Sequence, residues 1–214
     1  MSSLEYNFTN AWFNETENTG VWDSLFAQLK PTRVLEIGCF EGRSTSYLIE
    51  KLASCRDIEV HCVDTWERGE DVYAPNGLIE HEWTAVEERF HYNIKVAQSK
   101  VSHVAQVIIH KSFSDRALPK LLAEGKAGYF DFIYIDGSHQ ASDVLCDAVL
   151  SFRLLRGGGI IGFDDYLWQE PLPYGTDPLR CPKLAIDAFT NIYARKTRIM
   201  LAPLYRLYVQ KLTD

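Results

Sequence analysis

Short apolar runs and helix-period stretches alternate along this chain from about residue 30 onward. Five runs rich in β-branched and aromatic residues lie at 32–38, 58–64, 106–112, 129–136 and 158–165. Between them, apolar positions recur at helical spacing near 44–54, 84–98, 115–124 and 140–155. Strands that take turns with helices predict parallel β-α units and an α/β sandwich. A further helix is expected at 183–194, after which "TRIMLAP" and "LYRLYVQKL" read as two extended runs joined by a short turn, an antiparallel hairpin at a sheet edge. Two stretches break the rhythm. Residues 66–83 are polar, aromatic and turn-rich, and residues 166–182 hold Pro171, Pro173, Pro178 and Pro182. Long irregular loops with aromatic side chains in a compact fold are most often lids or binding loops.

Composition narrows the partners. The chain has 214 residues, 46% of them hydrophobic, and fits one domain over 1–214, with residues 1–28 as an N-terminal extension. A net charge of −7 and the absence of a Lys/Arg stripe give nothing to attract nucleic acid, so a small molecule is the expected partner. Cys39, Cys55, Cys62, Cys146 and Cys181 form no C-x-x-C pair, which removes zinc-ribbon and thioredoxin-like readings. Their odd number, with no signal-like start, predicts a reducing, cytoplasmic setting. No apolar run approaches the length of a membrane span. The sequons at Asn7 and Asn14 are chemically silent in such a setting. The aromatic, polar N-terminus is left with two roles, packing on a partner subunit in a homo-oligomer or folding over the site.

The first β-α turn, "EIGCFEGRSTS", carries the first chemistry. Gly38 and Gly42 bracket a tight turn, and Ser44 or Thr45 can cap the next helix. That places a positive helix end at the carboxyl edge of the sheet, where open α/β folds bind ligands. A dinucleotide turn needs glycine where Phe40 stands, so the backbone can touch pyrophosphate. A nucleoside without phosphate is not blocked. Asp64 ends the second strand, placed to accept hydrogen bonds from ribose hydroxyls.

These motifs, followed by "FDFIYIDGSH", "LLRGGGIIGFDD" and the terminal hairpin, resemble the class I S-adenosylmethionine-dependent methyltransferases over about residues 30–211. The glycine motif departs from that family's commoner E-x-G-x-G-x-G at Phe40, a variant often seen in its small-molecule O-methyltransferases. The resemblance implies a Rossmann-like three-layer sandwich with a mostly parallel seven-stranded sheet in the order 3-2-1-4-5-7-6 and an antiparallel terminal hairpin. It also implies S-adenosylmethionine as cofactor, contacted by Glu36, Gly38, Gly42 and Ser44 at the turn and by Asp64, Thr65 and Trp66 after strand two. Ser112 after strand three and Asp136 after strand four complete that set.

In such a fold strands four and five are neighbours, which brings Asp136, Asp164 and Asp165 to one edge. Like charges there repel by roughly 1–4 kcal/mol per pair at 4 Å. A hard divalent cation offsets this. The pattern resembles the metal-dependent sugar and natural-product O-methyltransferases, which implies Asp136, Asp164 and Asp165 as ligands of Mg²⁺ or a similar ion. His139, with Asp136, is then implied in catalysis, the imidazole as general base for the hydroxyl of a sugar, polyol or natural product.

Plainer readings stand beside these. Asp136-Gly137 is also a turn signal, and Asp164-Asp165 also suits a solvated turn. "HEWTAVEERFH" has Ala85 where a zinc helix needs histidine, and Val86, Phe90 and Ile94 suit a core-facing helix. Tyr166 and Trp168 are expected to line the acceptor pocket, and loops 66–83 and 166–182 to set specificity. The alternatives are a metal-independent O- or N-methyltransferase, an oxidative or hydrolytic metalloenzyme of the same fold, and a non-catalytic cofactor-binding protein.

Overall fold

The computed structural model describes residues 4–13, 15–67, 83–203 and 205–214. A strand buried on both sides needs cover on both faces, and the central strand β4 (Phe130–Ile135) is of that kind, every position but Asp131 being buried. Phe132 and Tyr134 point to one side, into a layer with Trp22 and Phe26 of α1 (Glu15–Leu29), Leu48 of α2 (Arg43–Leu52) and Phe90 of α3 (Trp83–Ser99). Ile133 and Ile135 point to the other, against Leu118 of α4 (Ser114–Ala123), Phe152 of α5 (Ala141–Leu154) and Phe189 of α6 (Pro182–Ile192). The remaining strands are β1 (Arg33–Ile37), β2 (Ile58–Asp64), β3 (Ala105–Lys111), β5 (Leu155–Phe163), β6 (Thr197–Met200) and β7 (Leu207–Lys211).

The sheet has seven strands in the order β3-β2-β1-β4-β5-β7-β6. The first five pair in parallel, and β7 runs antiparallel between β5 and β6. This is the expected three-layer architecture, with helix and strand positions close to those read from the sequence. One element departs from that reading. Residues treated as an N-terminal extension form helix α1, and its Trp22 is fully buried.

Most of the 66–83 loop, including His81 and Glu82, lies outside the described residues. The 166–182 segment is irregular but pinned. Glu170, 3% exposed, forms an ion pair with Arg180, and Asp177 caps a 3₁₀ turn at Pro178–Arg180. Among the described residues, no helix is long and apolar enough to cross a membrane. All five cysteines are free.

Candidate functional site

Gly38 leaves β1 with a φ of +81°, and a Cβ there would lie 2.0 Å from the Asp136 carbonyl oxygen. Only glycine lets the β1–α2 turn lie this close to the end of β4. Phe40 also has a positive φ, 47°, a strained state for a bulky residue. Asp64 holds the turn in place. Its Oδ2 accepts the backbone N–H groups of Cys39 (2.7 Å) and Phe40 (2.9 Å), and its Oδ1 accepts that of Trp66 (2.8 Å). Asp64 therefore pins the turn, a role the sequence does not display. Burial pushes its pKa above the ordinary value.

Glu36 is fully buried and accepts the hydroxyls of Ser44 and Thr45, so Glu36 and Ser44 clip β1 to the start of α2. Burial, helped by the nearby Asp64 charge, raises Glu36 to about 7 against the two hydroxyls. Trp66 is corrected from an expected nucleoside contact to a core residue. It is 3% exposed, packs on Phe90 at 4.9 Å between ring centroids, and donates its indole N–H to the Phe40 carbonyl. Thr65 and Ser112 are half-buried at the carboxyl edge, where Ser112 donates its N–H to the Asp64 carbonyl.

The second half of the site lies beyond β4 and β5. Ile135 pairs with Phe163, and the Asp164 N–H donates to the Ile135 carbonyl, so Asp136 and Asp164 leave adjacent strands side by side. Asp136, His139, Asp164 and Asp165 line one cleft with Gly137, Ser138 and Pro182. Burial, then the charges of Asp164 and Asp165, hold Asp136 well above the usual carboxylate range. His139 Nε2 lies 2.9 Å from Asp165 Oδ2, and its ring stacks on Trp168 at 4.2 Å. Asp165 itself has a φ of 54°, in the left-handed region like Phe40 and Trp66 at this edge.

The acids do not converge on one point. Asp164 Oδ1 is 2.8 Å from Arg206 Nε and accepts the Asp165 N–H, while its Oδ2 accepts the Tyr134 hydroxyl. Among the described residues, the one trio of potential ligands whose donor atoms all lie within 4.8 Å of one another is Glu36, Cys39 and Cys62, in the core behind the turn.

Residues 35–166, well over half of the chain, match the family described as Methyltransferase domain. The chain belongs to that family. Over 82 residues the chain is 38% identical to a Dictyostelium discoideum protein named "Probable caffeoyl-CoA O-methyltransferase 3", a match covering 38% of this chain and 30% of that protein. The chain thus matches about a third of the length of that curated relative. Its fold is similar to that of the O-methyltransferase TomG of Streptomyces achromogenes, involved in tomaymycin synthesis and solved with S-adenosylmethionine (TM-score 0.62, 17% identity, 92% of this chain and 80% of that one). It is equally similar to an O-methyltransferase of Bacillus cereus solved with S-adenosylhomocysteine (TM-score 0.62, 18% identity, 98% of this chain and 84% of that one). These comparisons match the class I methyltransferase architecture that the motifs imply.

Two residues of the candidate site escaped the sequence reading. Tyr134 looked like plain strand core, and nothing in "FIYI" shows that its hydroxyl meets a carboxylate. Arg206 had a signal that went unused. An arginine inside the apolar run "LYRLYV" needs a buried partner of opposite charge.

Proposed function

We propose that the protein is an S-adenosylmethionine-dependent O-methyltransferase acting on a small hydroxylated acceptor such as a sugar, polyol or natural product. The observation that carries this reading is the capture of both turn amides by Asp64. Those N–H groups are already satisfied by Asp64 and are not free to cradle a pyrophosphate, whereas a nucleoside without phosphate makes no such demand on them. The site's ligand-facing residues are then Gly38, Asp64, Thr65, Ser112 and Asp136, with Glu36, Ser44 and Gly42, the last packed against Phe90, shaping the turn behind them. The names of the compared proteins favour oxygen over nitrogen as the acceptor atom.

When bound, S-adenosylmethionine supplies an electrophilic methyl group on a positively charged sulfur. The protein's part is to hold the acceptor hydroxyl in line and to take its proton. We assign that base to His139, whose ring plane is fixed by Trp168 and whose Nε2 is held by Asp165. Such a base contributes about 10²–10⁴-fold. Asp136, between the glycine turn and His139, separates cofactor from acceptor.

The Mg²⁺ site implied at Asp136, Asp164 and Asp165 does not fit these residues as they stand. Asp164 is engaged by Arg206 and Tyr134, and the three carboxylates do not approach one another closely enough to share an ion. The metal-independent reading is therefore favoured.

Isothermal titration of the full chain with S-adenosylhomocysteine tests the proposal. Binding at one site per chain is expected, and no heat at high micromolar ligand, with folded protein, overturns it. Transfer of labelled methyl to a panel of catechols and methyl glycosides then identifies the acceptor class.

A further inference from the structure

The antiparallel register of β5 and β7 pairs Phe163 with Leu207. The next residues outward, Asp164 and Arg206, consequently face each other at the sheet edge. Their side chains are 8% and 9% exposed, and Arg206 Nε sits 2.8 Å from Asp164 Oδ1. The same Nε is 3.4 Å from the Tyr134 hydroxyl, which in turn donates to Asp164 Oδ2. With the Asp165 N–H also on Oδ1, Asp164 has spent three of its roughly four lone-pair directions on protein donors.

We infer that Arg206 is the resident cation of this acidic edge, holding Asp164 where relatives by resemblance would place a divalent ion, and that the site binds no such ion. The link from Arg206 to His139 as base rests on the methyltransferase reading, whereas the occupation of the edge by Arg206 stands on geometry alone. Two oxygens bound to one Mg²⁺ lie at most about 4.2 Å apart. No three of Asp136, His139, Asp164 and Asp165 offer donor atoms all within 4.8 Å. Guanidinium keeps its charge at every working pH, so it is not displaced by losing a proton. Admitting an ion would require Asp164 to abandon Arg206, leaving a buried guanidinium without its carboxylate partner. Arg206 is thus a positioning residue. It orders Asp164, whose Oδ1 accepts the Asp165 N–H, and Asp165 orders His139.

Titration of the protein with Mn²⁺, followed by the electron paramagnetic resonance of the free ion, tests this with and without S-adenosylhomocysteine. The expected result is no loss of the free-ion signal for wild type or Arg206→Lys, and less than a two-fold change in S-adenosylhomocysteine affinity between EDTA and excess Mg²⁺. Arg206→Met, if it folds, should take up Mn²⁺ in a manner abolished by Asp165→Asn. Stoichiometric Mn²⁺ binding by wild type that is lost in Asp165→Asn overturns the inference, whether or not any Arg206 variant folds. A failure to bind S-adenosylhomocysteine, by contrast, would count against the methyltransferase reading and leave the Mn²⁺ result to judge the cation.

Discussion

His139 lies flat on Trp168 and reaches Asp165, so two neighbouring side chains fix its orientation. Replacing it with Asn keeps the size and some polar contact but removes the base. His139→Asn should lower kcat by about 10²–10⁴-fold while leaving S-adenosylhomocysteine affinity unchanged. A calorimetric titration beside a methyl-transfer assay checks both, and equal losses in the two would mean that His139 serves the cofactor instead. A second prediction concerns the buried ion pair. Breaking one by removing a partner typically costs about 3–5 kcal/mol, whereas replacing both partners with apolar residues is often near neutral. Arg206→Met should therefore unfold at clearly lower temperature than wild type, and Arg206→Met/Asp164→Leu should recover most of the loss in a thermal melt. The residue types at this edge were legible in the sequence, because Asp136, His139, Asp164 and Asp165 sit directly after apolar runs. Their partners were not. The amides held by Asp64 belong to the backbone, and Arg206 arrives from the far end of the chain.

Helix α5 shows what an element hides from a sequence pass. Its apolar stripe was read correctly, yet one of its inward positions is Asp147, 1% exposed, with Oδ1 lacking any hydrogen-bond partner. Burial, with help from Asp143 and Asp115, lifts its pKa from 3.8 to about 7, against one hydrogen bond from Ser114. A carboxyl whose folded pKa is raised contributes its stability below the unfolded value and loses it as pH rises through the folded one. Between about pH 4 and 7 this group therefore works increasingly against folding, by on the order of 4 kcal/mol once fully ionised. Asp147→Asn should be more stable than wild type at pH 8 and nearly equal to it at pH 4. Melting curves at the two pH values measure this, and a variant that is less stable at both would show that the carboxylate is satisfied. Helix α1 is the opposite case. Trp22, Leu25, Phe26 and Leu29 recur at helical spacing, but the polar residues around them make the segment read as an extension.

Across the whole molecule, the apolar runs made the strand and helix sequence legible, while the strand order came from the family pattern and not from spacing. What joins the two scales is the path from α1 to the site. Trp22 meets Tyr134 edge-on at 4.9 Å and 90°, meets Phe132 at 5.6 Å, and donates its indole N–H to the Tyr208 hydroxyl at 2.9 Å. Tyr134 spans from that aromatic layer to Asp164, so one ring is wedged between the helix and the acidic edge. Trp22→Ala opens a cavity and leaves the buried Tyr208 hydroxyl without this partner. The first effect alone costs about 3–5 kcal/mol, and at roughly 2–4 °C per kcal/mol for a chain of this size the melting midpoint should fall by about 6–20 °C. Trp22→Phe keeps a ring against Tyr134 and should lose less. If α1 were an appendage, both variants would melt with wild type. If it is part of the scaffold that seats Tyr134, Trp22→Ala should also slow methyl transfer at temperatures where it remains folded, because Asp164 loses its fixed hydroxyl partner before the protein unfolds.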